Sequence, residues 1–287
     1  MTKNVGKSIR TRLLNLAKEE KQEYMKVLVR YLHERLLFRI SASPYKKHFL
    51  LKGSSLLYAL DGFKARPTID IDLLGERICN DRENLKDVFQ KVCGIECEDD
   101  GVSFDASSLE LEPIAVEKKY PGTCVKVVAR LDTIVQQISV DIGFGDVVTP
   151  YPLSLDYPLL LSDIPAVELY AYSLETLIAE KFHTMVDRDE SNSRMKDFFD
   201  VYQLFTNHEI DRELLAEAIA STFKNRNTSY RENLSLFTDR FATDETRNVW
   251  WKAFLKKIRW KGQIDFSAVM KCIKENLQEY WNNETLA

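Results

Sequence analysis

An α+β fold is predicted, with a mixed sheet and flanking helices in residues 1–170 and a helical domain over 171–287 that contributes to the active site. Three observations predict it. A 3.6-residue apolar period occupies 5–42, short runs with period-two alternation recur from 49 to 170, and the helical period returns from 173 onward. At 287 residues the chain is long enough for both parts.

The elements follow in order. Leu13, Leu14 and Ala17, then Tyr24, Val27, Leu28, Tyr31, Leu32, Arg35 and Leu36, trace an apolar stripe over two helical pieces that Ser43-Pro44 ends. The run Phe49-Leu50-Leu51 reads as a short buried strand leading into a helix over 54–60. Strands are predicted at 69–74, 111–117, 124–131, 134–143 and 164–170, with a helix at 84–93. Asp132-Thr133 joins the third and fourth of these strands as an antiparallel hairpin. The proline-bearing stretch 149–158 reads as a loop, because proline cannot feed a central ladder. Ser173 caps a helix to about 188, 195–206 forms another, and three more follow to 280.

The chemistry concentrates in Lys52-Gly53-Ser54-Ser55-Leu56 and Arg66-Pro67-Thr68-Ile69-Asp70-Ile71-Asp72. Residues two apart on a strand share a face, so Asp70 and Asp72 can grip one metal ion while Ile69, Ile71 and Leu73 enter the core. Gly53 and Ser54 offer backbone N–H groups and a hydroxyl to a polyphosphate. Asp141 alternates with the apolar Ile138, Val140 and Ile142, so it projects from the opposite face of its strand. Three neighbouring carboxylates repel unless a divalent cation neutralises them. Each aspartate taken alone is equally a solvated polar position.

Glu180-Lys181 and Lys196-Asp197-Phe198-Phe199-Asp200 complete a four-block pattern. Over 49–204 the chain resembles the AbiEii-type nucleotidyltransferases, toxins of bacterial toxin–antitoxin and abortive-infection systems within the polymerase-β-like superfamily. It departs from their pattern in Ser54 for a second glycine, Ser55 for threonine, and Lys196 for arginine, the last losing a planar fork. The resemblance implies a transfer of NMP from an NTP to a hydroxyl, with Mg²⁺ or Mn²⁺ held by Asp70, Asp72 and Asp141. It places Lys52, Gly53, Ser54, Ser55, Arg66, Thr68 and Lys181 around the nucleotide, and Asp197 and Asp200 beside Lys181 in catalysis. The implied acceptor is the tRNA 3′ end, with a protein hydroxyl next, and a cognate antitoxin is the implied partner. A metal-dependent nuclease or phosphatase and a non-catalytic nucleotide-binding module remain the rival classes.

Composition sets the remaining bounds. With 45% apolar and 29% charged residues the chain reads as an ordinary globular protein. No apolar run approaches the roughly eighteen residues of a membrane span, and the N-terminus lacks an apolar signal core, so a cytoplasmic location is expected. Cys79, Cys93, Cys97, Cys124 and Cys272 form no disulfide framework; the first three leave a zinc site conceivable. His33, His48, His183 and His208 stand in no ligand pattern. Between 222 and 262 ten Lys and Arg face four Asp and Glu, whereas the whole chain carries −4. There Lys224, Arg226, Arg231, Lys256, Lys257 and Arg259 mix with aromatics as an RNA-tracking surface would, although Trp250 and Trp251 read more readily as core.

Overall fold

The computed structural model describes residues 4–114, 121–282 and 284–286. In chain order the elements are α1 (Val5–Glu19), α2 (Tyr24–Ser41), β1 (Phe49–Leu51), α3 (Gly53–Asp61), β2 (Asp70–Gly75) and α4 (Arg82–Cys93). The strands β3 (Val102–Ile114), β4 (Gly122–Leu131), β5 (Ile134–Phe144), β6 (Leu153–Tyr157) and β7 (Val167–Ala171) follow. The helices α5 (Leu174–Arg188), α6 (Met195–Asn207), α7 (Arg212–Asn225), α8 (Asp239–Thr243), α9 (Glu245–Lys257) and α10 (Phe266–Leu277) complete the chain. It divides into two compact units, one of residues 1–145 with 153–171 and one of 146–152 with 172–287.

The first unit is a seven-stranded mixed sheet in the order β3-β4-β5-β2-β1-β7-β6. Pairs β2–β5 and β1–β7 run parallel, and the others are antiparallel. Alternation decides which face is covered: Ile71, Leu73, Val125, Val127, Ile138, Val140 and Ile142 are buried. The β4–β5 hairpin turns at Asp132-Thr133 as expected, with Leu131 paired to Ile134.

Three expectations need correction. Ile69 lies outside the core, 79% exposed, because the β2 ladder begins at Asp70. The strand expected at 111–117 starts at Val102 and carries a bulge between Asp105 and Glu110; its positions 115–117 lie outside the described residues. The stretch read as a loop contains β6, which among the described residues pairs only with β7. Pro152 and Pro158 bracket this edge strand without interrupting its single ladder.

Helix α2 packs against the sheet although it is rich in charge. Arg39 is fully buried against Asp100, with Nη2 donating to Asp100 Oδ1 at 3.1 Å and to the Val102 carbonyl at 2.9 Å. Asp100 Oδ1 also accepts from Val102 N, which leaves Arg39 Nε as the pair's unpartnered buried atom among the described residues. One turn earlier, Glu34 pairs with Arg35 at 2.9 Å and accepts from Leu160 N at 2.7 Å. Burial pushes the Glu34 carboxyl up to about 7 against the pull of Arg35. Arg30 lies 3.8 Å over the Tyr58 ring on α3, and His33 is buried on the same helix as Arg30. Helix α2 thereby holds the helix that begins with Gly53 and Ser54.

The second unit is helical. Ser173 caps α5 by accepting from Thr176 N at 3.1 Å, and both hydroxyls donate to the Thr149 carbonyl. Its core is aromatic: Phe182 meets Phe223, and Phe198 meets Phe266, each pair 5.4 Å apart. Three long helices follow α6 as expected, and the five-residue α8 is an addition.

His33 makes acid stability testable. Burial, then the charge of Arg30, lowers its pKa from 6.5 to about 4, so between these values only the unfolded chain takes up the proton. Its contribution is therefore complete above pH 6.5 and is lost as pH falls towards 4, by up to about 3 kcal/mol. The difference in stability between wild type and His33→Gln, measured by urea unfolding, should shift across this window in favour of the variant at the acid end. A pH-independent difference would show that His33 is not the titrating group.

Candidate active site

The first cluster is built where β1 hands over to α3. Lys52 has extended backbone and its N–H donates to the Asp72 carbonyl at 3.0 Å, laying the turn on β2. Gly53 then takes φ +59°, and a Cβ there would stand 2.4 Å from Asp72 Oδ2. Only glycine accommodates both the left-handed backbone and that approach. Ser54 donates to Asp72 Oδ2 from both its N–H and its Oγ, each at 3.0 Å, and Oγ lies 2.8 Å from Thr68 Oγ1. The Ser55 and Thr68 hydroxyls both donate to the Asp70 carbonyl, at 3.2 and 3.1 Å. Turn and strand are therefore one hydrogen-bonded piece. The donors of Ser54, which the sequence offered to phosphate, are directed at the Asp72 carboxylate.

Register sets the third aspartate. In the parallel β2–β5 pair Asp72 is opposite Asp141 and Asp70 opposite Ser139, so all three carboxylates belong to the sheet face opposite Ile71 and Val140. On the far side of β5, Cys124 of β4 is opposite Asp141. Burial pushes the Cys124 thiol up to about 12, and its hydrogen bond to the Asp141 carboxylate and the charge of Asp70 add to this. Sequence reasoning passed over Cys124, although counting equally from both sides of the Asp132-Thr133 turn places it opposite Asp141. Arg66 and Lys52 are half-buried on the segments that flank the cluster.

Among the described residues no group of three His, Cys, Asp or Glu side chains is arranged to hold an ion. The donor chemistry of Asp70, Asp72 and Asp141 nevertheless suits a hard divalent cation, since it is all carboxylate. The space at Gly53 also leaves Asp72 room that any side chain would fill.

The second cluster belongs to the helical unit. Lys181 on α5 is 8% exposed, and its Nζ donates to Asp200 Oδ2 at 2.7 Å and Asp197 Oδ1 at 3.2 Å, both on α6. Arg194, unremarked in the sequence, donates from Nε to Asp197 Oδ2 at 2.6 Å. Burial alone would raise the pKa of Asp197, but Lys181 and Arg194 hold it below the ordinary carboxylate range. The adjacent Glu180 accepts from Tyr172 Oη at 3.0 Å and lies 3.5 Å from Arg226.

The six cations assigned to RNA differ in their surroundings. Arg226 is engaged with Asp146 at 2.7 Å, and Arg231 donates to the Val186 carbonyl at 2.7 Å. Lys224, Lys256, Lys257 and Arg259 are exposed.

A glycine turn sealed on a strand with two aspartates, beside a parallel strand with a third, forms the framework of the candidate site. The family model described as "Nucleotidyl transferase AbiEii toxin, Type IV TA system" matches residues 35–271, and the chain belongs to that family. Solved structures similar to this chain include a candidate nucleotidyltransferase from H. pylori (14% identity, 84% of this chain and 100% of that one, TM-score 0.44). JHP933 from Helicobacter pylori is similar at 15% identity, over 83% of this chain and 94% of that one, TM-score 0.42. An antigenic nucleotidyltransferase-like protein from Paracoccidioides brasiliensis shares 14% identity over 84% and 93%, TM-score 0.36. Among curated proteins none matches this chain.

Gly53→Ala tests the seal. The strained backbone and the clash with Asp72 should together cost about 1–3 kcal/mol, read as a lower melting temperature. Wild-type melting would mean that the turn yields without cost.

Proposed function

We propose that this protein is a metal-dependent nucleotidyltransferase that moves NMP from an NTP to the 3′-terminal hydroxyl of tRNA, as the toxin of a toxin–antitoxin pair in the cytoplasm. The observation that carries this reading is the turn at Gly53 and Ser54 closed on Asp72, with Asp70 and Asp141 on the same sheet face. Lys52, Gly53, Ser54, Ser55, Arg66 and Thr68 receive the triphosphate, whose oxygens compete with Asp72 Oδ2 for the N–H and hydroxyl of Ser54. Asp70, Asp72 and Asp141 are the residues that would hold Mg²⁺ or Mn²⁺, which when bound stabilises charge on the attacking and leaving oxygens. The acceptor oxygen bonds to the α-phosphorus, the α–β bridge breaks to release pyrophosphate, and the hydroxyl proton passes to Asp141. Lys181, oriented by Asp197 and Asp200, offsets charge on the departing pyrophosphate. The basic segment 222–262 favours a nucleic-acid acceptor, and the family's description supplies the antitoxin as partner.

Incubation with each α-labelled NTP and total RNA or protein tests the reading. Label in RNA of tRNA size supports it, label in protein moves the acceptor to a protein hydroxyl, and hydrolysis without transfer replaces it with a nuclease or phosphatase. Asp70→Asn and Asp72→Asn should each reduce transfer at least about 10²-fold while melting like wild type, since asparagine keeps the side chain's shape and, at position 72, an oxygen for Ser54. Near-normal transfer by either would remove that residue from the metal site.

Lys181→Ala has two effects. Transfer should fall by a similar factor, and the melting temperature should also fall because Asp197 and Asp200 lose a buried partner, a loss worth roughly 3 kcal/mol. The double variant Lys181→Ala/Asp200→Asn should regain stability without regaining transfer. Recovery of both together would make Lys181 purely structural.

A further inference from the structure

Two adjacent tryptophans on α9 have opposite surroundings. Trp251 is 1% exposed, its ring centroid lies 5.6 Å from that of Phe266, and its Nε1 donates to the Ile264 carbonyl at 2.7 Å. Trp250 is 39% exposed, and among the described residues it makes no ring contact. It lines a cavity of ≈ 270 Å³ with Glu190, Arg240, Phe241, Asp244 and Arg247. Arg247 is part of the wall: its guanidinium lies 3.9 Å over the Phe241 ring, reaches the Glu190 carbonyl, and sits 3.4 Å from Asp244 Oδ1. Asp244 is thereby committed, and it also caps α9 by accepting from Arg247 N at 2.8 Å. Arg240 is exposed and, among the described residues, forms no ion pair. The cavity's lining thus includes one exposed indole and one guanidinium without an ion pair among the described residues. Its volume is just under the lower end of small-molecule pockets, about 300 Å³, and suits one planar ring. The exposed Lys252, Lys256 and Lys257 continue along the same helix.

We propose that this cavity receives a single unstacked base of single-stranded RNA, stacked on Trp250, with Arg240 on the neighbouring phosphate. The proposal rests on the RNA-acceptor reading and adds to it the strandedness of the RNA and its anchoring point. Aromatic faces stack any base, whereas a base inside a duplex is not available to one.

The test uses the full chain and anisotropy of a fluorescein-labelled 12-nucleotide RNA, single-stranded or annealed to its complement, across a salt series. Trp250→Ala should weaken single-strand binding about tenfold and leave duplex affinity and the salt slope unchanged, because stacking releases no counterions. Trp250→Leu, which keeps apolar volume without an aromatic face, should behave alike, and Trp250→Phe should recover most of the loss. Arg240→Gln should reduce the salt slope by about one phosphate contact. Single-strand affinity unchanged in both Trp250→Ala and Trp250→Leu would overturn the pocket, as would equal losses on both RNAs. Wild type that binds neither RNA overturns the pocket and the RNA acceptor together. Trp250-dependent RNA binding with label transferred only to protein leaves the pocket standing and removes the acceptor reading.

Discussion

The close approach of Gly53 to Asp72 is the contact from which the candidate site is assembled. A side chain at Gly53 cannot coexist with the Asp72 carboxylate, and the space its absence leaves admits two hydrogen bonds from Ser54 to one carboxylate oxygen. Ser55 and Thr68 then tie the Asp70 carbonyl to the same turn. The parallel register of β2 and β5 carries this order across to Asp141. Because turn, strand and register are coupled, displacing any one of them moves all three carboxylates.

Behind that face α2 brings charge into the interior. An apolar helix would cover the sheet at lower desolvation cost, since a buried ion pair often gains nothing over apolar residues of similar volume. What the charged side chains provide is direction. Arg39 reaches both Asp100 and the Val102 carbonyl at the start of β3, Glu34 takes Leu160 N, and Arg30 stacks on Tyr58. An apolar stripe could slide by a turn along the sheet, whereas these contacts exist in one position only.

The sheet was legible where the signal is local. Period-two alternation placed Asp70, Asp72 and Asp141 on a common kind of face, and the hairpin at Asp132-Thr133 followed from its turn. The parallel pairing of β2 with β5 joins segments far apart in sequence and left no trace in either. Alternation also ran one residue too far: Ile69 continues the pattern but lies before the ladder, exposed. Prolines concealed β6 because they mark a loop and the ends of an edge strand alike. The helix face of Lys181 was readable from its neighbours, but Arg194 was not, since nothing in the spacing points its guanidinium at Asp197. Trp250 and Trp251 show the limit of residue type, because being large and aromatic favours the core for both while only one is there.

The two ends of the sheet differ in length. β6 is five residues held between prolines, and β3 is thirteen residues broken by a bulge, with Asp105, Glu110 and Glu112 along it. An open strand edge is a template onto which another chain can zip, and brevity, proline, bulges and charge each spoil it. This sheet uses brevity and proline at one end, and a bulge and acidic residues at the other. A freshly synthesised copy therefore meets its neighbours with no smooth edge to extend, which protects the long β3–β4–β5 ribbon from growing into an aggregate.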